Sequence, residues 1–205
     1  MTYKDLKSFQ QATIISDFTV EFCKLYIDPK SRTTDQMVQA ARSGKQNITE
    51  GSTVSKTSPK SELMLLGVAK GSLKELLEDY EDFLRQKRLE KWGKDDPRAM
   101  AARQLTYQNK ANRSDMTYKT YESYLPKPEQ AANAMVTLIN QTTYLLDQQI
   151  KAIERQMEAK GISKESYQQK ASRIITESRN KEQKFNRILE GIREGKNKPE
   201  DLYDV

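Results

Sequence analysis

The most constraining feature of this 205-residue sequence is a heptad-like apolar seam in its second half. The seam alternates steps of four and three residues over 26 residues, through Ala132, Val136, Ile139, Thr143, Leu146, Ile150, Ile153 and Met157. This spacing keeps every member on one face of an α-helix about 38 Å long, at about 1.5 Å per residue. Because such a stripe has to be covered, the seam predicts a helix packed against others.

Three earlier segments repeat the helical spacing. Residues 9–27 carry the apolar face Ile15, Phe18, Phe22 and Leu25, and the pair Asp28-Pro29 is expected to end this helix. A second helix is predicted over 35–49, with Thr34 as its N-cap and Gly51 as its stop. Its face consists mostly of small residues, Met37, Ala41, Gly44 and Ile48, so that a neighbouring helix can approach closely.

The third helix is predicted to begin at Pro59 behind the cap Ser58 and to continue to about residue 91. Its apolar face is Leu66, Ala69, Leu73, Leu76, Tyr80 and Phe83. Gly67 and Gly71, four residues apart, are interpreted as a place of close helix packing. Taken with the seam, these segments predict an all-α protein with four main helices.

The remaining segments define the expected domain organisation. Residues 92–127 break the pattern with turn residues and a Tyr-rich polar stretch, and are predicted to be an insertion between the third and fourth helices. Residues 1–161 are expected to form one helical domain. Residues 162–205 are expected to be a short helical suffix followed by a flexible tail.

Composition excludes several classes of enzyme. The chain has no histidine, which removes His-based catalytic pairs and His-ligated metals, and it has one cysteine, Cys23, which removes an intrachain disulfide and Cys-based metal sites. The acidic pairs Glu78-Asp79, Glu81-Asp82 and Asp95-Asp96 are interpreted as solvated surface rather than a magnesium site. We therefore expect no enzymatic activity, no cofactor and no metal.

Cysteine usage and hydropathy indicate the cellular compartment. The single cysteine fits a reducing cytoplasm, and the first twenty residues interleave charges with apolar positions, unlike a signal peptide. No stretch reaches the ~18 apolar residues that a membrane span needs. A cytoplasmic protein that does not enter a membrane is expected.

Charge leaves nucleic-acid binding open. The chain carries 35 Lys and Arg against 29 Asp and Glu, a net charge of +6, and residues 164–198 hold 10 basic against 5 acidic groups. This excess permits phosphate binding but is also ordinary for solubility. Arg42 and Lys45 lie one helical turn apart on the second helix, and Lys151 and Arg155 do so on the fourth, so each pair can contact phosphates or form a solvated face. Lys170 and Arg173 complete the candidate phosphate-binding set.

The Tyr-rich insertion supports two interpretations. Its tyrosines 107, 118, 121 and 124 are interleaved with basic residues, so they can stack on unpaired bases while the cations hold phosphates. Equally, the tyrosines can pack the insertion onto the helices with their hydroxyls in water.

Two motifs carry a family resemblance. The first runs through Asn47, Glu50 and Gly51 and, after a gap, through Gly71, Ser72 and Glu75. The second is the run from 131 to 149, together with residues 92–97. Over about residues 10–165 the chain resembles the bacterial four-helix-bundle proteins of the 23S rRNA intervening-sequence family, in the branch with a C-terminal suffix. Thr49 stands where that family usually has alanine.

The resemblance implies an up-and-down four-helix bundle and a homo-oligomer, with relatives forming cyclic pentamers. It also implies kinship with the accessory variability protein of diversity-generating retroelements, a basic pentamer that associates with a reverse transcriptase and RNA. The motif residues have a structural interpretation: Gly51 ends a helix, Gly71 and Ser72 allow close contact, and Glu50 and Glu75 accept hydrogen bonds across the bundle.

Two functions follow as expectations. The first is a non-enzymatic oligomer that binds nucleic acid, RNA above all, as an accessory or adaptor protein. The second is a protein-interaction scaffold, for a reverse transcriptase or another partner, without direct nucleic-acid contact.

Overall fold

The computed structural model describes residues 3–55, 57–108 and 118–160, with the side chains of residues 107 and 108 excepted. Within these ranges every regular element is a helix and no strand occurs, so the predicted all-α class is confirmed. No helix in the described part is long and apolar enough to cross a membrane. The chain divides into two compact units, Met1–Gln156 and Met157–Val205.

Five α-helices and two 3₁₀ helices lie within the described ranges. The α-helices are α1 (Lys7–Tyr26), α2 (Arg32–Val54), α3 (Pro59–Gln86), α4 (Pro97–Gln108) and α5 (Pro128–Ala159). A first 3₁₀ helix, Tyr3–Asp5, precedes α1, and a second, Tyr118–Tyr124, precedes α5. The predicted fourth helix is therefore α5, and the predicted insertion contains α4 and the second 3₁₀ helix.

The start and end of α2 correct two expectations. Its N-cap is Ser31, whose hydroxyl oxygen accepts a hydrogen bond from the Thr33 backbone N–H at 3.1 Å, so Thr34 lies inside the first turn. Gly51 does not stop the helix, which runs on to Val54. A Cβ at Gly51 would lie 3.5 Å from Leu65 Cβ and 3.6 Å from the Glu62 carbonyl, which are ordinary van der Waals distances, so Gly51 faces α3 with room for a methyl group.

The apolar face predicted for α3 is confirmed, since all six of its members are buried. Its start is also as expected, with the Ser58 hydroxyl accepting from the Ser61 N–H at 3.2 Å. The helix ends at Gln86, earlier than predicted, and Arg88 follows with a left-handed φ of 56°. Gly67 and Gly71 are exposed and a Cβ on either would meet nothing within 4 Å, so the expected close packing at this pair is wrong.

Helix α5 is covered on several sides. Seven of the eight seam residues are buried, Ile150 being half-buried, and every residue from 131 to 139 is buried. Beyond the seam, Asn133 accepts from the Trp92 backbone N–H at 2.7 Å, and Gln141 donates to the Thr106 hydroxyl of α4 at 3.2 Å. The elements between α3 and α5 thus cover faces of α5 that the seam does not define.

Contacts fix the relative direction of several helices. The pairs α1 and α2, α2 and α3, and α5 and α1 are antiparallel, whereas α1 and α3 are parallel. The contacts that show this are Asp17–Lys45 and Cys23–Met37, Gly44–Leu73 and Gly51–Leu65, Ser8–Gln149 and Gln11–Thr142, and Thr19–Tyr80 and Phe22–Phe83.

The α1 face also differs from expectation at one position. Ile15, Phe18 and Phe22 are fully buried, but Leu25 is 58% exposed. Leu25 belongs to the last turn of α1, and the chain next turns away at Ile27, which has an extended backbone. The heptad spacing therefore continues one step further than the covered face.

Candidate nucleic-acid interface

A groove runs between α1 and α2 and continues to the first 3₁₀ helix. It encloses about 830 Å³ and contains Arg42 and Lys45 from the predicted set. Hydroxyl and amide side chains line it between the charged positions, with aromatic rings at the end near the first 3₁₀ helix and valines at the other end. Its lining consists of Tyr3, Lys4, Phe9, Gln10, Thr13, Ser16, Val20, Val38, Arg42, Lys45, Gln46, Thr49 and Glu50.

The aromatic end is built by a local fold-back. The side-chain amide of Gln10, itself buried, donates to the backbone oxygen of Lys4 at 2.9 Å and fastens the first 3₁₀ helix to α1. This brings the rings of Tyr3 and Phe9 together edge to face, with centroids 5.0 Å apart and planes at 88°. Both rings are half-buried, so part of each stays open to the groove.

Three cations and one carboxylate line this groove, and a second carboxylate, Asp17, lies next to it. Arg42 is exposed and forms no ion pair with any residue that the structure describes. Lys45 lies 4.0 Å from an oxygen of Asp17, the limit of an ion pair, and Lys4 stands beside the aromatic pair. The lining carboxylate, Glu50, accepts from the Gln46 amide at 3.0 Å. The groove therefore attracts anions.

Two hydroxyls of the lining have fixed roles. Thr13 donates to the Phe9 carbonyl at 2.9 Å and Thr49 donates to the Lys45 carbonyl at 3.2 Å, both within their own helices. Each hydroxyl proton is thereby used, so these oxygens offer lone pairs to a ligand. Ribose 2′-hydroxyls and the amino groups of bases are donors that fit such acceptors.

The groove on the opposite side of α2 carries the opposite charge. It encloses about 750 Å³ between α2 and α3, and five carboxylates line it with one arginine: Asp35, Glu75, Glu78, Asp79, Asp82 and Arg32. Burial first, and then the charges of the neighbouring acids, raise the pKa of the Asp79 carboxyl. Phosphates are repelled from this face, so only the α1/α2 groove of the two suits a nucleic-acid backbone.

The other predicted phosphate contacts are not brought to the α1/α2 groove. Lys151 and Arg155 are exposed on α5, which contributes nothing to the lining. Lys170 and Arg173 lie outside the described residues. The structure thus groups Arg42 with Lys45 and leaves the α5 pair elsewhere.

Two tyrosines of the insertion, Tyr121 and Tyr124, have packing roles, whereas the half-buried Tyr118 lines a small open pocket with Asp17, Val20, Glu21 and Lys119. Tyr121 is fully buried and its hydroxyl donates to the Ala102 carbonyl at 2.8 Å, instead of reaching water. Tyr124 is half-buried, with its ring 6.0 Å from that of Tyr121 and 6.4 Å from that of Trp92. Arg98, among the interleaved cations, is held by Asp96, Glu90 and Glu129 and lies 5.0 Å above the Trp92 ring.

The family-motif residues differ in their surroundings: some are hydrogen-bonded within or between helices, and others are exposed. Asn47 donates to the Ser43 carbonyl at 2.9 Å, and Ser72 shares a 2.9 Å hydrogen bond with the Ser43 hydroxyl, which joins α3 to α2. Glu50 and Glu75 are both exposed. Glu50 accepts from Gln46 of its own helix and Glu75 lines the acidic groove, so neither accepts across the helices as expected.

Two further site expectations can be placed. Cys23 is buried, and burial together with the charge of Asp79 raises the pKa of its thiol to about 11, which suits a packing residue rather than a nucleophile. Within the described ranges no three Cys, Asp or Glu side chains are grouped as metal ligands would be.

Sequence reasoning missed Tyr3, Lys4 and Phe9. The available signal was Phe9, an aromatic residue that lies off the α1 seam when the seam is extended backwards from Ile15. Comparison of the chain with protein-family models, curated proteins and solved structures gives no match, so the family resemblance remains a prediction.

Proposed function

We propose that this chain is a non-enzymatic nucleic-acid-binding protein of the cytoplasm, with RNA as its ligand and an accessory or adaptor role. The observation that carries the proposal is the α1/α2 groove. Its cations Lys4, Arg42 and Lys45 outnumber the lining carboxylate Glu50 and the adjacent Asp17, and Arg42 has no ion-pair partner in the described part of the chain. A cation without a partner loses no protein contact when a phosphate replaces its water.

The proposal includes a particular arrangement and assembly. The antiparallel order of α1 with α2, α2 with α3 and α5 with α1 supports an up-and-down bundle of the four long helices. The family resemblance adds a homo-oligomer, with a pentamer as the expected size. Five copies would raise the net charge from +6 to about +30, a field that concentrates polyanions.

Fluorescence anisotropy with a labelled RNA tests the ligand class. For the full chain, log affinity is expected to fall linearly with log salt concentration, because bound phosphates release counterions. The variant Arg42→Gln/Lys45→Gln should weaken binding about tenfold or more and should reduce the salt slope by about two, one for each lost contact.

The matched control is Lys151→Gln/Arg155→Gln, which removes the same charge from exposed positions of α5. It should change affinity less than the groove variant does. Equal losses for the two variants would show attraction by net charge without a site in the groove. Absence of RNA binding at low salt would refute the proposed function.

A protein-interaction scaffold is the second candidate, favoured by one exposed face of α3. Met64 and Val68 are 48% and 47% exposed, and the exposed Gly67 and Gly71 let a partner backbone approach between them. A second copy of this chain is the occupant that the oligomer expectation names, and a reverse transcriptase is the one that the family resemblance names. Light scattering of the full chain should then give a molar mass that Met64→Ser/Val68→Asp reduces and Tyr144→Ser leaves unchanged.

A further inference from the structure

We infer that the α1/α2 groove selects single-stranded nucleic acid by stacking an unpaired base on the Tyr3/Phe9 pair. This inference rests on the proposed function and makes it more specific, because charge alone would hold single strands and duplexes alike. Three features of the groove support stacking: an open aromatic surface, the cations in the same lining and the length of the groove.

The open aromatic surface lies at the Tyr3/Phe9 pair. In an edge-to-face pair each ring covers at most one face of the other, and both rings are half-buried and line the groove. The alternative platform, Tyr121 in the insertion, is fully buried with its hydroxyl bonded to Ala102. Tyr118 lines a neighbouring pocket beside the carboxylates Asp17 and Glu21, so of the described aromatic residues only Tyr3 and Phe9 belong to the lining of the cationic groove.

Cations line the same groove as the aromatic pair. Lys4 adjoins Tyr3 in sequence, and Arg42 and Lys45 stand further along the groove on α2. From Phe9 to Val20 the α1 wall rises about 16 Å at about 1.5 Å per residue. A strand of a few nucleotides can therefore keep its phosphates near the cations while one base lies at the aromatic end.

A duplex cannot use the same site. Its bases are stacked on one another and paired, so no base face is free for a side chain unless the helix is opened. The chain is therefore expected to bind unpaired segments more tightly than a duplex of equal phosphate count. Every nucleobase has an aromatic face that can stack on the Tyr3/Phe9 pair, so little preference among base sequences is expected.

The experiment compares two strands of equal charge on the full chain. One is a fluorescein-labelled oligouridine. The other is a labelled strand with the same sugar–phosphate backbone but without the bases. Stacking of one base is worth about 1–3 kcal/mol, so oligouridine should bind about 5- to 100-fold more tightly than the abasic strand, with the same salt slope. A hairpin duplex of matched phosphate count should bind like the abasic strand.

The variant Tyr3→Leu/Phe9→Leu should remove the preference for oligouridine and leave the affinity for the abasic strand unchanged. Tyr144→Leu, at an exposed tyrosine of α5 outside the groove, is the matched control and should keep the preference. Equal binding of oligouridine and the abasic strand by the unmodified chain would overturn the stacking inference while leaving a phosphate-binding groove in place. Failure of all three nucleic acids to bind would instead refute the proposed function itself.

Discussion

Gly44 of α2 and Leu73 of α3 face each other so closely that a Cβ at position 44 would lie 2.9 Å from both Cγ and Cδ2 of Leu73. Leu73 is fully buried, so its branched end has little room to move. The missing side chain at Gly44 therefore determines how near the two helices approach. The acidic groove depends on this spacing in turn, since α2 and α3 form its two walls.

Gly44→Ala is expected to destabilise the chain by about 1 kcal/mol. Alanine gains about 1 kcal/mol of helix propensity over glycine, but the forced shift of a packed core costs about 1–3 kcal/mol. The measurement is urea denaturation followed by helical circular dichroism. Gly71→Ala is the control, because a Cβ there meets nothing within 4 Å, and it should stabilise by about 0.5–1 kcal/mol. Stabilisation by both changes would contradict the close approach at Gly44.

The glycines also show what periodicity can and cannot predict. The spacing of Leu66, Leu73 and Tyr80 fixes which face of α3 is buried, and the structure confirms that face. Spacing does not say which backbone lies opposite a given residue. For that reason the sequence predicts a helix stop at Gly51 and a helix contact at Gly71, whereas in the structure Gly51 faces α3 and Gly71 is exposed.

The candidate site could likewise be predicted from the sequence only in part. Arg42 and Lys45 are one turn apart on α2, so the sequence already predicts that they share a face. The aromatic end of the groove depends on the fold-back that Gln10 secures through the Lys4 carbonyl, a contact with no periodic signature. Tertiary contacts of this kind could not be derived from the spacing of apolar residues.

Asn133→Ala is expected to destabilise the chain by about 2–3 kcal/mol. The Asn133 side chain is 1% exposed, accepts from the Trp92 N–H at 2.7 Å, and donates to the carbonyls of Glu90 and Glu129 at 2.8 and 2.9 Å. Alanine leaves the buried Trp92 N–H without its partner, which costs about 1–3 kcal/mol, and the lost bond to the Glu90 carbonyl adds about 1 kcal/mol at most. Trp92 is the single tryptophan, so its fluorescence should report the loss directly during denaturation.

Asn140→Ala provides the comparison on the same helix. Asn140 is exposed and donates only to the Val136 carbonyl at 2.8 Å, one turn back in α5. Its replacement should change the free energy of unfolding by no more than about 0.5 kcal/mol, the usual range for surface positions. If the two asparagines gave equal effects, the bonds of Asn133 to the Trp92 segment would not be the cause.

Thr19 and Tyr80 are expected to be energetically coupled. Thr19 donates its proton to the Ile15 carbonyl at 2.7 Å, so the buried Tyr80 hydroxyl is the donor in the 3.0 Å bond between the two side chains. Thr19→Val strands the Tyr80 hydroxyl and should cost about 1–3 kcal/mol, while Tyr80→Phe should cost about 1 kcal/mol. The double variant Thr19→Val/Tyr80→Phe should cost less than the sum, because it leaves no hydroxyl unpaired. Additive effects in urea denaturation would show that the bond is absent in solution.

Asp79 in the acidic groove is expected to lower the free energy of unfolding as pH rises. The folded state raises the pKa of Asp79, by burial first and then by the charges of Asp82, Glu75 and Glu78. The folded chain therefore holds this proton over a pH range in which the unfolded chain has lost it. The stabilisation from the proton is complete below the unfolded pKa and is lost as pH rises through the folded pKa.

Asp79→Asn should accordingly be more stable than the parent at neutral pH, by about 0.5 kcal/mol because Asp79 remains partly exposed and its repulsions are screened. The two proteins should converge as pH falls below the unfolded pKa of aspartate, about 4. The measurement is urea denaturation of both proteins across this pH range at low and at high salt. Salt should reduce the difference without abolishing it, because it screens the neighbouring carboxylates but leaves the cost of burial. A parent that is the more stable of the two at neutral pH would contradict a raised pKa at Asp79.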